Sequence, residues 1–150
     1  MITGSALLLF GGRLIPLTTA AWQTWGKTVY GEARGEPFLG QVGVGWVIRN
    51  RAAKPGWWGK DIDSVCRAPF QFSCWLEGDP NRRLLDALVT EDPHYRRALS
   101  VVGLVASDDL SDPTGGATYY VNLLLAHPEW ADRFVKTALI GAHTFFREAE

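Results

Sequence analysis

The sequence predicts an α+β fold in one domain: helices through most of the chain, then a small antiparallel sheet near the C-terminus. Three observations carry this. Apolar residues recur at steps of three and four between residues 18 and 34. Residues 38–53 follow as a run that is apolar nearly all round. After Ser111 the character changes to turn chemistry and short strand-like segments, two of them flanking Gly141-Ala142. No repeat, low-complexity stretch or linker interrupts the 150 residues, a length that suits one domain with a real core.

The elements follow in order. Residues 1–10 contain the apolar run Ala6-Leu7-Leu8-Leu9-Phe10, far short of the ~20 apolar residues of a membrane span. The run has no basic flank and no Ala-x-Ala site, so it is expected as an anchoring strand, irregular segment or frayed end rather than an export signal. Thr18 or Thr19 can cap a helix reaching about Arg34, with Trp22, Trp25, Gly26, Val29 and Ala33 on one stripe. Gly35 and Pro37 end it. Residues 38–53 form the central buried helix. Gly43 and Gly45 each cost it ~1 kcal/mol relative to Ala, which points to close approach of a neighbouring backbone. The valines leave a strand over residues 41–48 as the alternative.

Residues 54–60 are a loop holding Trp57 and Trp58, of which one indole should fold inward. A short helix over 61–67 and a structured loop over 68–79 precede helices at 81–89 and 93–107. The last is capped by Asp92 with Pro93 at its first position. A strand over 117–121, one or two helical turns within 127–133, and a hairpin of 135–140 with 143–147 complete the chain.

Composition narrows the function. An apolar fraction of 47% and a charged fraction of 21% are ordinary for a soluble globular protein. A net charge of −1 argues against a nucleic-acid partner, which demands a basic surface. Seven tryptophans exceed what a core of this size needs, and flat indoles suit the C–H faces of sugar rings. Two cysteines and three scattered histidines lack metal-ligand spacing, so neither metal nor cofactor is expected. Cys66 and Cys74 can form a disulfide or remain two buried thiols.

Chemistry concentrates in Tyr30-Gly31-Glu32-Ala33-Arg34-Gly35-Glu36-Pro37. Glu32 falls in the last turn of a helix, at the edge of its indole-bearing stripe. Partial burial and the negative end of the helix dipole both disfavour its charged form. A carboxyl kept protonated near neutral pH can protonate the leaving oxygen of a glycosidic bond. Spacing alone leaves open an ion pair of Glu32 with Lys27 or an arginine. Glu36, past the helix break, is expected to accept loop amides or to pair with Arg34 or Arg51. Glu77, Asp79, Asp108, Asp109 and Asp112 are further loop carboxylates, none distinguished by sequence. Gln71 and Ser73 offer groups suited to sugar hydroxyls, or ordinary loop hydrogen bonds. Tyr119, Tyr120 and Asn122 can line a groove beside a Gly-Gly turn, or serve the sheet alone. His143 and Thr144 stand in the same position, with a structural role the safer reading for a lone histidine.

The opening motif, with Gly40-Gln41-Val42 and Asn50-Arg51, resembles that of the SleB/CwlJ-type cell wall hydrolases, which include the spore-cortex-lytic enzymes. The similarity continues through Val65-Cys66, Gln71-Phe72-Ser73-Cys74, the segment from Asp112 to Tyr120, Pro128-Glu129-Trp130-Ala131 and the segment from Gly141 to Arg147. Those motifs keep the family's order over residues 22–148. The resemblance implies a lysozyme-like fold of the goose type that acts on peptidoglycan glycan strands. It places the family's catalytic acid at Glu32, beside which Gln71, Ser73, Tyr119, Tyr120, His143 and Thr144 stand as candidate substrate contacts from their own chemistry. Glu36 and Asn50 would support the site. It further implies lytic transglycosylase chemistry at the N-acetylmuramic acid–N-acetylglucosamine β-1,4 bond, which needs one carboxyl and leaves a 1,6-anhydro end. Departures are Gly43 and Gly45 where the family often has alanine, Tyr120 where it often has histidine, and a shorter loop between Val65 and Gln71.

A hydrolytic muramidase on the same fold is the nearest alternative. An N-acetylmuramoyl-L-alanine amidase would want zinc on histidines, and a glycan-binding module would need no acid. The chain is expected to act as a monomer, without nucleic acid or a membrane span. A compact domain without an evident leader resembles a phage endolysin, which reaches the wall through a holin or on a virion.

Overall fold

The computed structural model describes residues 5–150. The apolar start is a strand, β1 (Ser5–Phe10), whose preceding residues 1–4 lie outside the described part. It pairs antiparallel with β2 (Arg13–Thr18), an element the sequence reading did not anticipate. Gly11 and Gly12 join them with φ of +55° and +78°. This is the backbone that a two-residue hairpin turn requires and that glycine adopts without penalty. The hairpin alternates: Phe10, Ile15 and Leu17 are buried, while Leu7, Leu9 and Leu14 face outward. The Arg13 guanidinium bonds the Ala52 and Lys60 carbonyls and so ties the hairpin to the end of the central helix.

Helix α1 (Thr19–Ala33) starts where expected, with the Thr18 hydroxyl accepting from the Ala21 amide at 3.0 Å. Gly35 stays out of the left-handed region, so the stop is set by Pro37 and the turn before it rather than by a glycine cap. Helix α2 (Phe38–Ala53) then runs through the middle of the molecule, every residue from Gly40 to Arg49 being buried. The strand alternative for 41–48 is thus excluded. An all-round apolar helix satisfies its own backbone groups and can be covered on every side. Gly43 and Gly45 do allow close packing, but against side chains and not backbone. A Cβ on Gly43 would come 2.7 Å from the Phe145 ring, and one on Gly45 would meet Val105 at 3.5 Å. Trp25 crosses from α1 and donates its indole N–H to the Gly45 carbonyl at 3.3 Å.

The remaining elements are α3 (Ile62–Arg67), α4 (Pro80–Ala87), α5 (Pro93–Ala106), and 3₁₀ turns at Ser73–Trp75 and Glu129–Asp132. Asp61, Asp79 and Asp92 cap the three helices. Helix α5 lies close along α1, where a Cβ on Gly26 would strike Leu99 at 2.6 Å. Trp58 folds inward while Trp57 remains 64% exposed, which settles the pair as expected. The C-terminal sheet has the order β3 (Tyr119–Val121), β5 (His143–Arg147), β4 (Val135–Ile140), all antiparallel. Its middle strand buries Thr144, Phe145 and Phe146. Cys66 and Cys74 are both buried free thiols, and burial holds the Cys66 thiol up at about 12. Among the described residues no helix is long and apolar enough to cross a membrane.

Candidate active site

The end of α1 meets the C-terminal sheet at Glu32. The Tyr120 hydroxyl, on β3, donates to Glu32 Oε1 at 2.7 Å. From the other side Cys74 lies against the carboxylate with its thiol and main-chain N–H. Gly31 makes this approach possible: a Cβ there would fall 2.7 Å from Cys74 Cβ and 2.9 Å from its Sγ. One further bond ties the Cys74 turn to α1, and another ties the following helix, α4, to the residue just past the end of α1. Trp75 Nε1 donates to the Thr28 hydroxyl and Arg34 Nη2 to Asn81 Oδ1, both at 2.9 Å.

Burial raises the Glu32 pKa, and the charge of Asp79 raises it further. The Tyr120 and Cys74 hydrogen bonds favour the carboxylate and pull the other way, without cancelling the rise. Tyr120 is itself pushed well above its ordinary value, first by burial and then by the Glu32 charge, so it stays a hydroxyl donor. The expected direction for Glu32 is therefore met, with a phenol and a thiol in the place foreseen for indole. No ion pair of Glu32 with Lys27 or any arginine forms among the described residues.

Glu36 braces the neighbouring turn. Its Oε1 accepts the Ala142 amide at 2.9 Å, and it approaches neither Arg34 nor Arg51. Gly141 has φ +58°, and a Cβ there would sit 2.7 Å from Glu36 Oε1 and 2.9 Å from Pro37 Cδ. Only glycine fits both demands. His143 Nδ1 lies 3.7 Å from the same carboxylate oxygen, buried and without a hydrogen bond. Burial lowers the His143 pKa, with Glu36 opposing. Its ring packs on Tyr120 at 4.7 Å between centroids, so it backs the residue that holds Glu32.

The other anticipated residues divide. Gln71 lines a groove with Tyr119 and Tyr120, its Oε1 accepting from Arg51 at 3.2 Å. Tyr119 gives its hydroxyl to Glu148 at 2.8 Å and presents its ring to Trp57, Trp130 and Phe134. Ser73 is exposed at the start of its 3₁₀ turn. Thr144, in the middle strand, is only 9% exposed and offers a substrate little surface. Asn50 is structural: its Nδ2 donates to Asp112 Oδ2 and to the Ala117 carbonyl, shaping the Gly115-Gly116 turn.

Of the loop carboxylates, Asp108 pairs with Arg49, Asp109 accepts from Ser107, and Asp112 accepts from Asn50 and the Thr114 and Gly116 amides. Glu77 is exposed. Asp79, the cap of α4, is the one whose charge reaches Glu32. Sequence reasoning missed Cys74 as a partner of Glu32. The glycine just before the glutamate was the available signal, since an unbranched position on a helix face marks something pressed against it.

Replacing Tyr120 by Phe removes a bond that favours the Glu32 carboxylate. The Glu32 pKa should rise further, moving the alkaline limb of any Glu32-dependent activity upward, with a loss of about 0.5–1.5 kcal/mol in stability. A pH–rate profile checks this, and an unmoved limb would contradict it.

Similarity to known proteins is extensive. Residues 35–146 match the model of a family described as Cell Wall Hydrolase, a span that opens three residues beyond Glu32. A spore cortex-lytic enzyme of Halalkalibacterium halodurans is 35% identical over 123 residues, 82% of this chain but 33% of that protein. One from Bacillus cereus is 31% identical over 123 residues, covering 82% of this chain and 42% of its own length. This chain thus spans well under half of these relatives. Among solved structures, the catalytic domain of the germination-specific lytic transglycosylase SleB from Bacillus anthracis superposes with a TM-score of 0.67 at 28% identity. That match covers 87% of this chain and 97% of that one. The SleB catalytic domain from Bacillus cereus gives the same score and identity, over 91% of its length. The fold is therefore lysozyme-like α+β. The chain belongs to the SleB/CwlJ-type cell wall hydrolase family.

Proposed function

We propose that the chain is a lytic transglycosylase that cuts the N-acetylmuramic acid–N-acetylglucosamine β-1,4 bond of peptidoglycan, as a single catalytic domain acting as a monomer. Glu32 is its acid and base. The observation that carries this reading is the Glu32 carboxyl itself: half-buried, raised in pKa, and held at Oε1 by the Tyr120 hydroxyl. The Tyr120 hydroxyl fixes the orientation of the carboxyl towards β3, the first strand of the C-terminal sheet. The family membership and the likeness to a lytic transglycosylase domain support the same reaction.

In the first half of the reaction the Glu32 carboxyl gives its proton to the glycosidic oxygen as the bond to the muramic C1 breaks, and the N-acetylglucosamine O4 leaves as a hydroxyl. Glu32 is then a carboxylate, the form that Tyr120 and Cys74 favour. In the second half it takes the proton of the muramic C6 hydroxyl, whose oxygen bonds to C1 and closes the 1,6-anhydro ring. The proton returns to Glu32, and no water is consumed. Burial keeps the acid charged with its proton, and the two hydrogen-bond donors keep the carboxylate from being too costly as an intermediate state. Gln71, Ser73, Tyr119 and His143 are proposed to position the sugar, the last through Tyr120.

The working acid is the protonated form, so activity should fall as pH rises through the raised Glu32 pKa. The test is solubilisation of purified peptidoglycan with and without a chelator. Release of glycan fragments, unaffected by the chelator, is expected. Intact sacculi, or loss of activity to the chelator, would overturn the reading, the latter in favour of an amidase.

A further inference from the structure

Beyond Tyr120 lies a cavity of about 440 Å³. Arg51 and Arg133 line it with Trp57, Gln71, Tyr120 and Trp130, and no Asp or Glu does. Arg51 is only 5% exposed. Its Nε donates to the Thr118 carbonyl at 2.7 Å and its Nη1 to Gln71 Oε1 at 3.2 Å. Its guanidinium lies over the rings of Trp58, Phe72 and Tyr119 at 5.3–5.5 Å. All of these partners are neutral. Among the described residues neither Arg51 nor Arg133 forms an ion pair.

The same helix supplies a comparison. Arg49, two residues earlier and 8% exposed, is neutralised by Asp108 at 2.6 Å. A buried guanidinium without a counter-charge is costly. Its planar fork matches a carboxylate better than any other common anion-binding side chain does. The uncompensated arginine is the one that borders the cavity, a second arginine stands at the rim, and exposed indole flanks both. A glycan strand of peptidoglycan carries carboxylates, either on the lactyl group of a muramic unit or on the peptide attached to it.

We propose that this cavity is a subsite for a carboxylate borne by a muramic unit, placed next to the acid through Tyr120. This rests on the lytic reading for the identity of the ligand, but not for the presence of an anion site. The probes are N-acetylmuramic acid and its primary amide, which differ in the lactyl carboxylate, and N-acetylmuramoyl-L-alanyl-D-isoglutamine and its amide, which differ in the peptide carboxylate. Binding to the wild-type chain is followed by tryptophan fluorescence and calorimetry. In at least one pair the acid should bind about tenfold tighter than the amide, and the pair that discriminates identifies the carboxylate. Arg133→Gln should shrink that gap at least about threefold, and Arg133→Lys should keep most of it. Arg133 is exposed and unpaired, so both variants should melt like the wild type. Equal affinities within both pairs, no saturable binding of any probe, or a gap unchanged in Arg133→Gln would each overturn the proposal. Carboxylate-selective binding by a chain that cuts no glycan would leave it standing and sink the lytic reading. Strand cleavage with no preference for the acids would do the reverse.

Discussion

Glu32→Gln should lower strand cleavage by about 10²–10⁴-fold, the range that a positioned general acid contributes, while the protein folds and still binds glycan. The glutamine Oε1 can accept the Tyr120 hydroxyl as the glutamate does, so the substitution removes the acidic proton while keeping that bond. Stability supplies a separate readout. Burial raises the folded-state pKa of Glu32 above its unfolded value. Below the unfolded value both states hold the proton, and the carboxyl contributes fully. As pH rises from the unfolded toward the folded value, the unfolded chain ionises more readily and stability falls. Glutamine escapes that loss. Glu32→Gln should therefore melt at the same temperature as the wild type or higher at neutral pH, with the difference vanishing below the unfolded pKa. A clear loss of stability at neutral pH would point instead to a structural carboxylate, and undiminished lysis would remove Glu32 from the reaction.

Trp25→Ala should be the most damaging core substitution. Trp25 is fully buried between α1 and α2 and gives its N–H to the Gly45 carbonyl. Truncating a buried aromatic costs about 3–5 kcal/mol, a large share of the 5–15 kcal/mol that typically holds a domain together. For a chain of this size that corresponds to a fall in Tm of roughly 10 °C or more. Because α1 carries both Trp25 and Glu32, a loosened α1 should also lower activity below the melting transition. Thermal and urea denaturation measure the effect. A loss under about 1 kcal/mol would mean that α1 is not anchored through this indole.

How much of this was legible in the sequence depended on whether the signal was local. Helix periods, caps and the Gly/Pro punctuation around residue 35 are local, and α1, α2, α3, α5 and the C-terminal hairpin lie within a residue or two of expectation. The first strand of the N-terminal hairpin was among the expectations and the second was not, although Gly11-Gly12 is a turn signal, because Pro16 demotes residues 13–18 as a strand. The direction of the Glu32 pKa followed from its expected partial burial at the edge of the apolar stripe. Its partners did not, since Tyr120 lies 88 residues away and Cys74 sits in a loop without periodicity. The close packing at Gly43 was foreseen but its neighbour was not: a ring from β5, rather than a backbone, fills the space. Arg51 read as the basic end of a helix, and only the assembled fold leaves it buried without a counter-charge.

The most direct test of the single-carboxyl mechanism is mass spectrometry of the muropeptides released from purified peptidoglycan. If Glu32 alone serves as acid and base, the muramic ends carry the 1,6-anhydro ring and are one water lighter than reducing ends. Reducing muramic ends would contradict it, placing a water and a second polar group in the reaction instead, with Asp79, whose charge reaches Glu32, the first candidate.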